Sequence, residues 1–465
     1  MYEIQGRNTL EINQKSFVNR YSNQIKSTFD GCLSEEAINE IGKTSGFIER
    51  VRKLSAFEFT NALTFSVNNQ ANTSLPDIAA DLNKEFEIDV SKEALHKKFT
   101  PQAVTFMEEL LKLQIANQID LSIDDKLKQH FNSIKIKDSS KFSLPSIYNG
   151  DYPSFNNFSK KNGVMNLQYE YDLVSGKWTS LELTNIKTND KKSSRETAHL
   201  LEKGDLYIRD LGYISASYLN AIKEAEAYFL NRLPPQAGLY NSAGEPLTWK
   251  GIDQKFRKTD AQALDMDMEI FNNHRLKCRV VLFRVNDEEY KSRLKQAENS
   301  AKSRKVGVSK DHKIRCRYNA FITNVGRDVL SMGDIKKTYQ LRWQIELVFK
   351  TWKSFFSINK VKKVKKERLE CQLLARLLWV LINWHLFQLT NHYVKNSSPG
   401  KGVSILKFFK RCNNFSYTLR LVILKKMNLK RWLTEEFLPL IENTECEAKG
   451  SKPTSYQILN SFLTH

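Results

Sequence analysis

A chain of 465 residues is too long for one ordinary core, so two to four domains are expected. With 41% hydrophobic and 27% charged residues it is globular, and a formal net charge of +20 points to a polyanionic partner, either nucleic acid or an acidic membrane surface. The six cysteines form no Cys-x-x-Cys pair and the eight histidines show no ligand spacing, which argues against a zinc site and for reduced thiols in a cytoplasm.

The N-terminal MYEIQGRNTLEINQK lacks the apolar core of a signal peptide. Residues 1–125 read as a helical DNA-binding domain. Within it Ser74-Leu-Pro-Asp77 opens a helix to about Phe86, and after Glu87-Ile-Asp89 a second helix starts at Ser91 and carries Leu95, His96, Lys97 and Lys98. Such a pair resembles a helix-turn-helix DNA reader, although a plain helical hairpin has the same pattern. From about 130 the period changes to two. Ile134 to Asp138 reads as a strand, Val164 to Leu173 and Trp178 to Leu183 as a hairpin, and Ser194 to Glu202 as a helix. A strand follows at Leu206 to Asp210, then a helix over 215–226 and a strand at Tyr228 to Leu230. That order, over 126–232, is the connectivity of an RNase H-like α/β core.

Residues 233–333 read as an insertion with strands at Cys278 to Phe283 and Tyr318 to Ile322. Between them lies a basic stretch, 291–317, with ten Lys/Arg against Glu298 and Asp311. The core resumes over 334–370, and 371–465 reads as a helical domain. Its run Leu373 to Leu389, interrupted by Arg376, Asn383 and His385, reads as a buried helix and not a membrane span.

The segment Tyr339 to Lys353 is the most informative. On one helix, Tyr339, Arg342, Glu346 and Lys353 fall within roughly 60° of arc, opposite Leu341, Ile345, Val348, Phe349 and Trp352. A carboxylate flanked by cations could hold a metal while the cations grip phosphates; a salt-bridge row on an ordinary amphipathic helix would give the same stripe. The spacing Tyr-x2-Arg-x3-Glu-x6-Lys, with Trp343 after the arginine and Ile-Glu-Leu-Val-Phe-Lys-x-Trp-Lys around the glutamate, resembles one branch of the DDE transposases of bacterial insertion sequences (insertion sequence family four).

The resemblance implies an RNase H-like core interrupted by a β-rich insertion, flanked by helical domains. It implies three catalytic, metal-holding acids: Asp138 in Ile-Lys-Asp-Ser-Ser, Asp210 in Tyr-Ile-Arg-Asp-Leu-Gly-Tyr, and Glu346. Each aspartate is expected at a strand end, sharing parity with the apolar residues before it, where an unpaired charge needs a counter-ion. Asp205 is a rival for the second position. Two Mg²⁺ ions, replaceable by Mn²⁺, are the implied cofactors. Tyr339, Arg342, Lys350 and Lys353 are implied to contact DNA, as is a patch at Lys362, Lys363, Lys365 and Lys366. Some relatives stack a tryptophan on a flipped base just before the last insertion strand; here the position holds Tyr318, or Asn319 with one gap, and Trp249 is a poorer candidate. The implied partners are inverted-repeat transposon ends and target DNA, bound by a homodimer in the bacterial cytoplasm with no membrane role. The implied activity is end cleavage followed by strand transfer. A domesticated protein without catalysis, or a nuclease that does not rejoin, are the alternatives.

Overall fold

The computed structural model describes residues 12–50, 52–65, 73–119, 121, 130–154, 162–448 and 452–461. The segment 1–11, the boundary drawn at 125–126 and His465 lie outside the described residues.

The N-terminal region is helical, as α1 (Gln14–Leu33), α2 (Glu35–Thr44), α3 (Ala56–Phe65), α4 (Leu75–Phe86), α5 (Lys92–Lys98) and α6 (Pro101–Ala116). Its helix starts are set by local chemistry. Asn13, Ser34, Ser74, Ser91 and Thr100 each accept a backbone N–H in the first turn, and Ser74 with Asp77 forms a reciprocal capping box. Between α4 and α5 the chain turns through Glu87 in the left-handed region (φ 58°), and Ile78, Leu82 and Leu95 bury the inner face. Lys92, His96 and Lys97 are left exposed on α5.

The central feature is one ten-stranded sheet in the order β3-β2-β1-β4-β5-β10-β9-β8-β6-β7. Strands β1 (Ile134–Leu144), β2 (Gly163–Asp172) and β3 (Trp178–Asn185) form an antiparallel meander. Strands β4 (Leu206–Arg209) and β5 (Tyr228–Arg232) run parallel to β1, reached through α7 (Asp190–Glu196) and α8 (Ala216–Glu224). These are the strands, hairpin and helices expected from the pattern. The helix read at Ser194 to Glu202 starts earlier, because Asn189 caps it, and gives way to one 3-10 turn at Ala198–Leu200.

The insertion is not a separate β module. Strands β6 (Leu239–Tyr240), β7 (Pro246–Leu247), β8 (Ala263–Ile270), β9 (Leu276–Arg284) and β10 (Tyr318–Thr323) continue the same sheet, β10 pairing antiparallel with both β5 and β9. Nor is it mainly β: it also carries α9 (Trp249–Thr259), α10 (Asp287–Ser303) and α11 (Lys310–Arg315). Most of the basic stretch lies on α10 and α11, where Asn286 and Ser309 cap the starts and acids fill the first turns.

Period-two alternation gives the sheet two different faces. Ile134, Ile136, Leu206, Ile208, Leu230 and Phe321 join the large core with the helical regions, and Tyr207, Phe229, Val280, Leu282, Tyr318 and Ile322 join a second core on the other face. The large core is organised by a 32-residue helix, Lys366–Ser397, against which α3 and α6 pack. That helix is apolar and long enough to cross a membrane, but its apolar window is wholly covered by protein. Trp384 Nε1 donates to the Gly176 carbonyl at 2.7 Å, which pins the β2–β3 turn, where Gly176 itself has φ +75°.

On the far face, β1 contributes Lys135 and Lys137 to a buried charged layer. Lys137 sits in register between Glu170 and Arg209, which pair with each other, and Arg209 also donates to Tyr218 Oη at 3.2 Å. Burial disfavours ionised Glu170, yet Arg209 and Lys137 hold its carboxyl below the usual range. Arg209→Met should therefore cost about 3–5 kcal/mol in urea unfolding, because Glu170 is left buried without its partner. Adding Glu170→Met should recover much of that loss.

Candidate active site

Asp138 and Asp210 meet because of where one strand stops. The last β1–β4 pair is Lys137 with Arg209, so Asp138 and Asp210 are the next residues on each chain. Asp138 is not at a strand end as expected: β1 runs on to Leu144, paired only with β2 on that side. Asp210 leaves β4 and starts a 3-10 turn at Leu211–Tyr213. Parity with Ile136 and Ile208 puts both carboxylates on the face of the large core.

Glu346 arrives from the helical region that packs on that face. The segment expected as one helix is two, α12 (Met332–Gln340) and α13 (Trp343–Phe355). Between them the backbone tightens: Leu341, Arg342, Gln344 and Ile345 N–H groups each bond to the carbonyl three residues back, at 3.0–3.2 Å. Glu346 falls in the first turn of α13, which packs on β1.

All three acids meet at one guanidinium. Arg342 Nη1 lies 3.2 Å from Asp138 Oδ2, Nη2 lies 2.6 Å from Glu346 Oε1, and Nε lies 4.0 Å from Asp210 Oδ1. Nε is buried and makes no hydrogen bond. Asp138 also accepts the Ser139 N–H at 2.7 Å. Burial pushes Asp138 up to about 6, with Asp210 and Glu346 pushing the same way against Ser139 and Arg342. The rival Asp205 is bound 2.6 Å from Lys135 in the buried layer of the far face. Three hard carboxylates converging on a cation suit a divalent metal. As they stand around the guanidinium, no three His, Cys, Asp or Glu side chains among the described residues are grouped as a metal site.

The other expected residues divide. Tyr339 is buried against Phe321 (5.3 Å between ring centroids), with the Arg232 guanidinium 5.7 Å from its ring. Lys353 is half-buried, its ammonium pushed down by burial, with no ion pair among the described residues; Lys350 is exposed. Lys362 and Lys363 are exposed. Lys365 donates to the Phe99 carbonyl at 2.6 Å and Lys366 binds Asp151 at 2.7 Å, so these two serve internal contacts.

Tyr318 is a buried residue of the second core. Its alternation with Ile322 turns it to the face away from the acids, where its hydroxyl donates to Asp253 at 2.6 Å and its ring packs on Phe256 at 4.6 Å. Trp249 stacks 6.2 Å from that same ring. Asn319 accepts from Arg293 at 2.5 Å.

Two features are visible only in the structure. Trp343, at the start of α13 beside Arg342, is 56% exposed. A cavity of about 300 Å³ is lined by Leu211, Arg232, Arg293, His312 and Arg315 and by no acid. Arg315 donates to the Leu233 carbonyl at 2.9 Å while its Nε is buried without a partner. These cations lie more than 80 residues apart in places, so only the β5–β10 pairing reveals that they share a cavity, which Leu211, the residue after Asp210, also lines.

The family model described as the transposase DDE domain matches residues 129–382. The chain is 29% identical over 370 residues to the transposase for insertion sequence element IS231B of Bacillus thuringiensis subsp. berliner, covering 75% of this chain and 77% of the relative. It is 26% identical over 445 residues to that of IS231F of Bacillus thuringiensis subsp. israelensis (92% and 93%), and 28% over 379 residues to that of IS1151 of Clostridium perfringens (78% and 79%). A cryo-EM structure of a piggyBac transposase synaptic complex with hairpin DNA aligns over 93% of this chain and 88% of that one, with 11% identity and a TM-score of 0.45, too distant to carry an argument.

The raised Asp138 makes folding stability depend on pH. The folded carboxyl keeps its proton up to about 6 while the unfolded one releases it near its ordinary value, so stability is lost as pH rises through that window. Asp138→Asn removes the charge, and its melting temperature should exceed that of the parent by roughly 1–3 °C at pH 8. The gap should close at acidic pH, below the folded value, in thermal scans of the DNA-free, metal-free protein.

Proposed function

The chain belongs to the transposase DDE domain family and is an enzyme that acts on DNA, and from that premise we propose that it cuts its element at both ends and joins those ends to target DNA. The observation that carries this reading is the meeting of Asp138, Asp210 and Glu346 around Arg342, from two strands and a helix far apart in sequence.

In the first stage water attacks an end phosphodiester, the P–O3′ bond breaks, and a free 3′-hydroxyl and a 5′-phosphate result. In the second that hydroxyl attacks a target phosphodiester, one P–O bond replacing another, so no outside energy source is needed. Asp138, Asp210 and Glu346 would hold two Mg²⁺ ions, or Mn²⁺, which when bound activate the attacking oxygen and stabilise the leaving one. Arg342 and Lys353 hold the phosphate beside the scissile bond, which supplies orientation and not acid–base chemistry. Arg232 and Arg315 extend that positive surface past Asp210, suited to the phosphates of the same strand. Helix α5, with Lys92, His96 and Lys97 exposed, is the candidate reader of the inverted repeat. Joining two ends calls for a homodimer acting in the cytoplasm.

Asp138→Asn, Asp210→Asn and Glu346→Gln keep shape and remove charge. Each should lower strand cleavage by about 10³-fold or more while end binding stays within a few-fold, read on labelled end duplexes. Substantial Mg²⁺-dependent cleavage by one of them would remove that acid from the site.

The +20 charge should make DNA affinity strongly salt-dependent. Log K should fall with log salt by about 0.9 per contacted phosphate. Arg315→Ala should reduce the slope by about one such contact; an unchanged slope would take the cavity out of the DNA path.

A further inference from the structure

Arg342 stands where the three acids would otherwise face one another. Two arms of its fork are engaged, with Asp138 at 3.2 Å and Glu346 at 2.6 Å, and the third, Nε, is buried 4.0 Å from Asp210 without a hydrogen bond. One positive charge faces three negative ones, so the cluster keeps a formal charge of −2. Lys353, on the same helix, forms no ion pair with any of them among the described residues. The carboxylates are spread round the fork, each beside a different nitrogen of the guanidinium.

A guanidinium fork matches a phosphate as well as it matches a carboxylate. The Arg342 side chain is 16% exposed, so a phosphate can reach it from solvent. We propose that Arg342 is an internal counter-ion competing with divalent metal for the three carboxylates, and that a DNA phosphate draws it away and so couples metal loading to DNA binding. This rests on the reading of the three acids as metal ligands. The coupling is reciprocal: metal weakens the carboxylates' hold on Arg342, and phosphate weakens Arg342's hold on the carboxylates. Without DNA the protein keeps its acids partly compensated by its own side chain and binds metal weakly.

The test is Mn²⁺ binding to the full chain, followed by calorimetry and by the paramagnetic resonance of free Mn²⁺, with and without a saturating short DNA duplex. Without DNA, Arg342→Gln should bind Mn²⁺ about tenfold or more tighter than the parent. The duplex should tighten the parent toward that level and leave Arg342→Gln unmoved. Arg342→Lys, which keeps a charge but loses the fork, should fall between, and it carries the comparison if circular dichroism shows Arg342→Gln unfolded. Equal affinities without DNA, or an undiminished effect of the duplex in the variant, would overturn the proposal while leaving the acids as ligands. Mn²⁺ binding that survives unchanged in both Asp138→Asn and Glu346→Gln would instead overturn the ligand assignment, and this proposal with it.

Discussion

Three carboxylates gathered on one side of a sheet repel each other, and the Arg342 guanidinium is what lets them share that space. Its fork reaches two strands and its own helix at once. That reach depends on the tightened turn between α12 and α13, which places Arg342 at the junction and Glu346 one turn later on the same side. An isolated charge at this depth would be costly, and a single cation offsets only part of three. Burial above all, and the neighbouring carboxylates after it, raise the pKa of Asp138.

The scaffold has to hold that cluster against its own repulsion. It does so from both sides of the sheet. On one face the apolar residues of β1 and β4 are locked into the large core with the helical regions, and on the other Glu170, Lys137, Arg209 and Tyr218 tie β2, β1 and β4 to α8. Asp138 and Arg209 are thus one residue from charged groups on the opposite face, and alternation keeps the two charge systems apart. The continuation of the sheet through β10 has a second effect. It carries the insertion's arginines to the end of β5, next to the end of β4 from which Asp210 emerges.

The helical regions are joined as closely as the sheet. Residues from α1 to α6 and from the long helix share one apolar core, and Lys365, Arg368 and Arg420 reach N-terminal carbonyl, amide or carboxylate groups across it. Helices α4 and α5 are therefore packed into the same core as the sheet that bears the acids. The lysines nearest the long helix's start serve this joint as much as any ligand.

Much of this was legible in the sequence because it depends on neighbours along the chain. Caps at Ser74 and Ser91, the alternation in β1, β2 and β4, and the i,i+4 pair of Arg342 with Glu346 are local, and the pattern of residue types states them directly. The spacing of Tyr339, Arg342, Glu346 and Lys353 also identified the family, and with it the two upstream aspartates. What only the tertiary structure decided involves partners distant in the chain or the identity of a face. Asp138 lies within a long strand because β2 keeps pairing with β1 beyond the point where β4 ends, a fact of pairing that β1's own residues do not contain. Tyr318 faces a core because β10 enters the sheet in a register that turns even positions away from the acids. Arg342 bridges all three carboxylates, and Arg232 meets Arg315, only once strands and helices are stacked, since contact between charges depends on distance in space and not on separation along the chain.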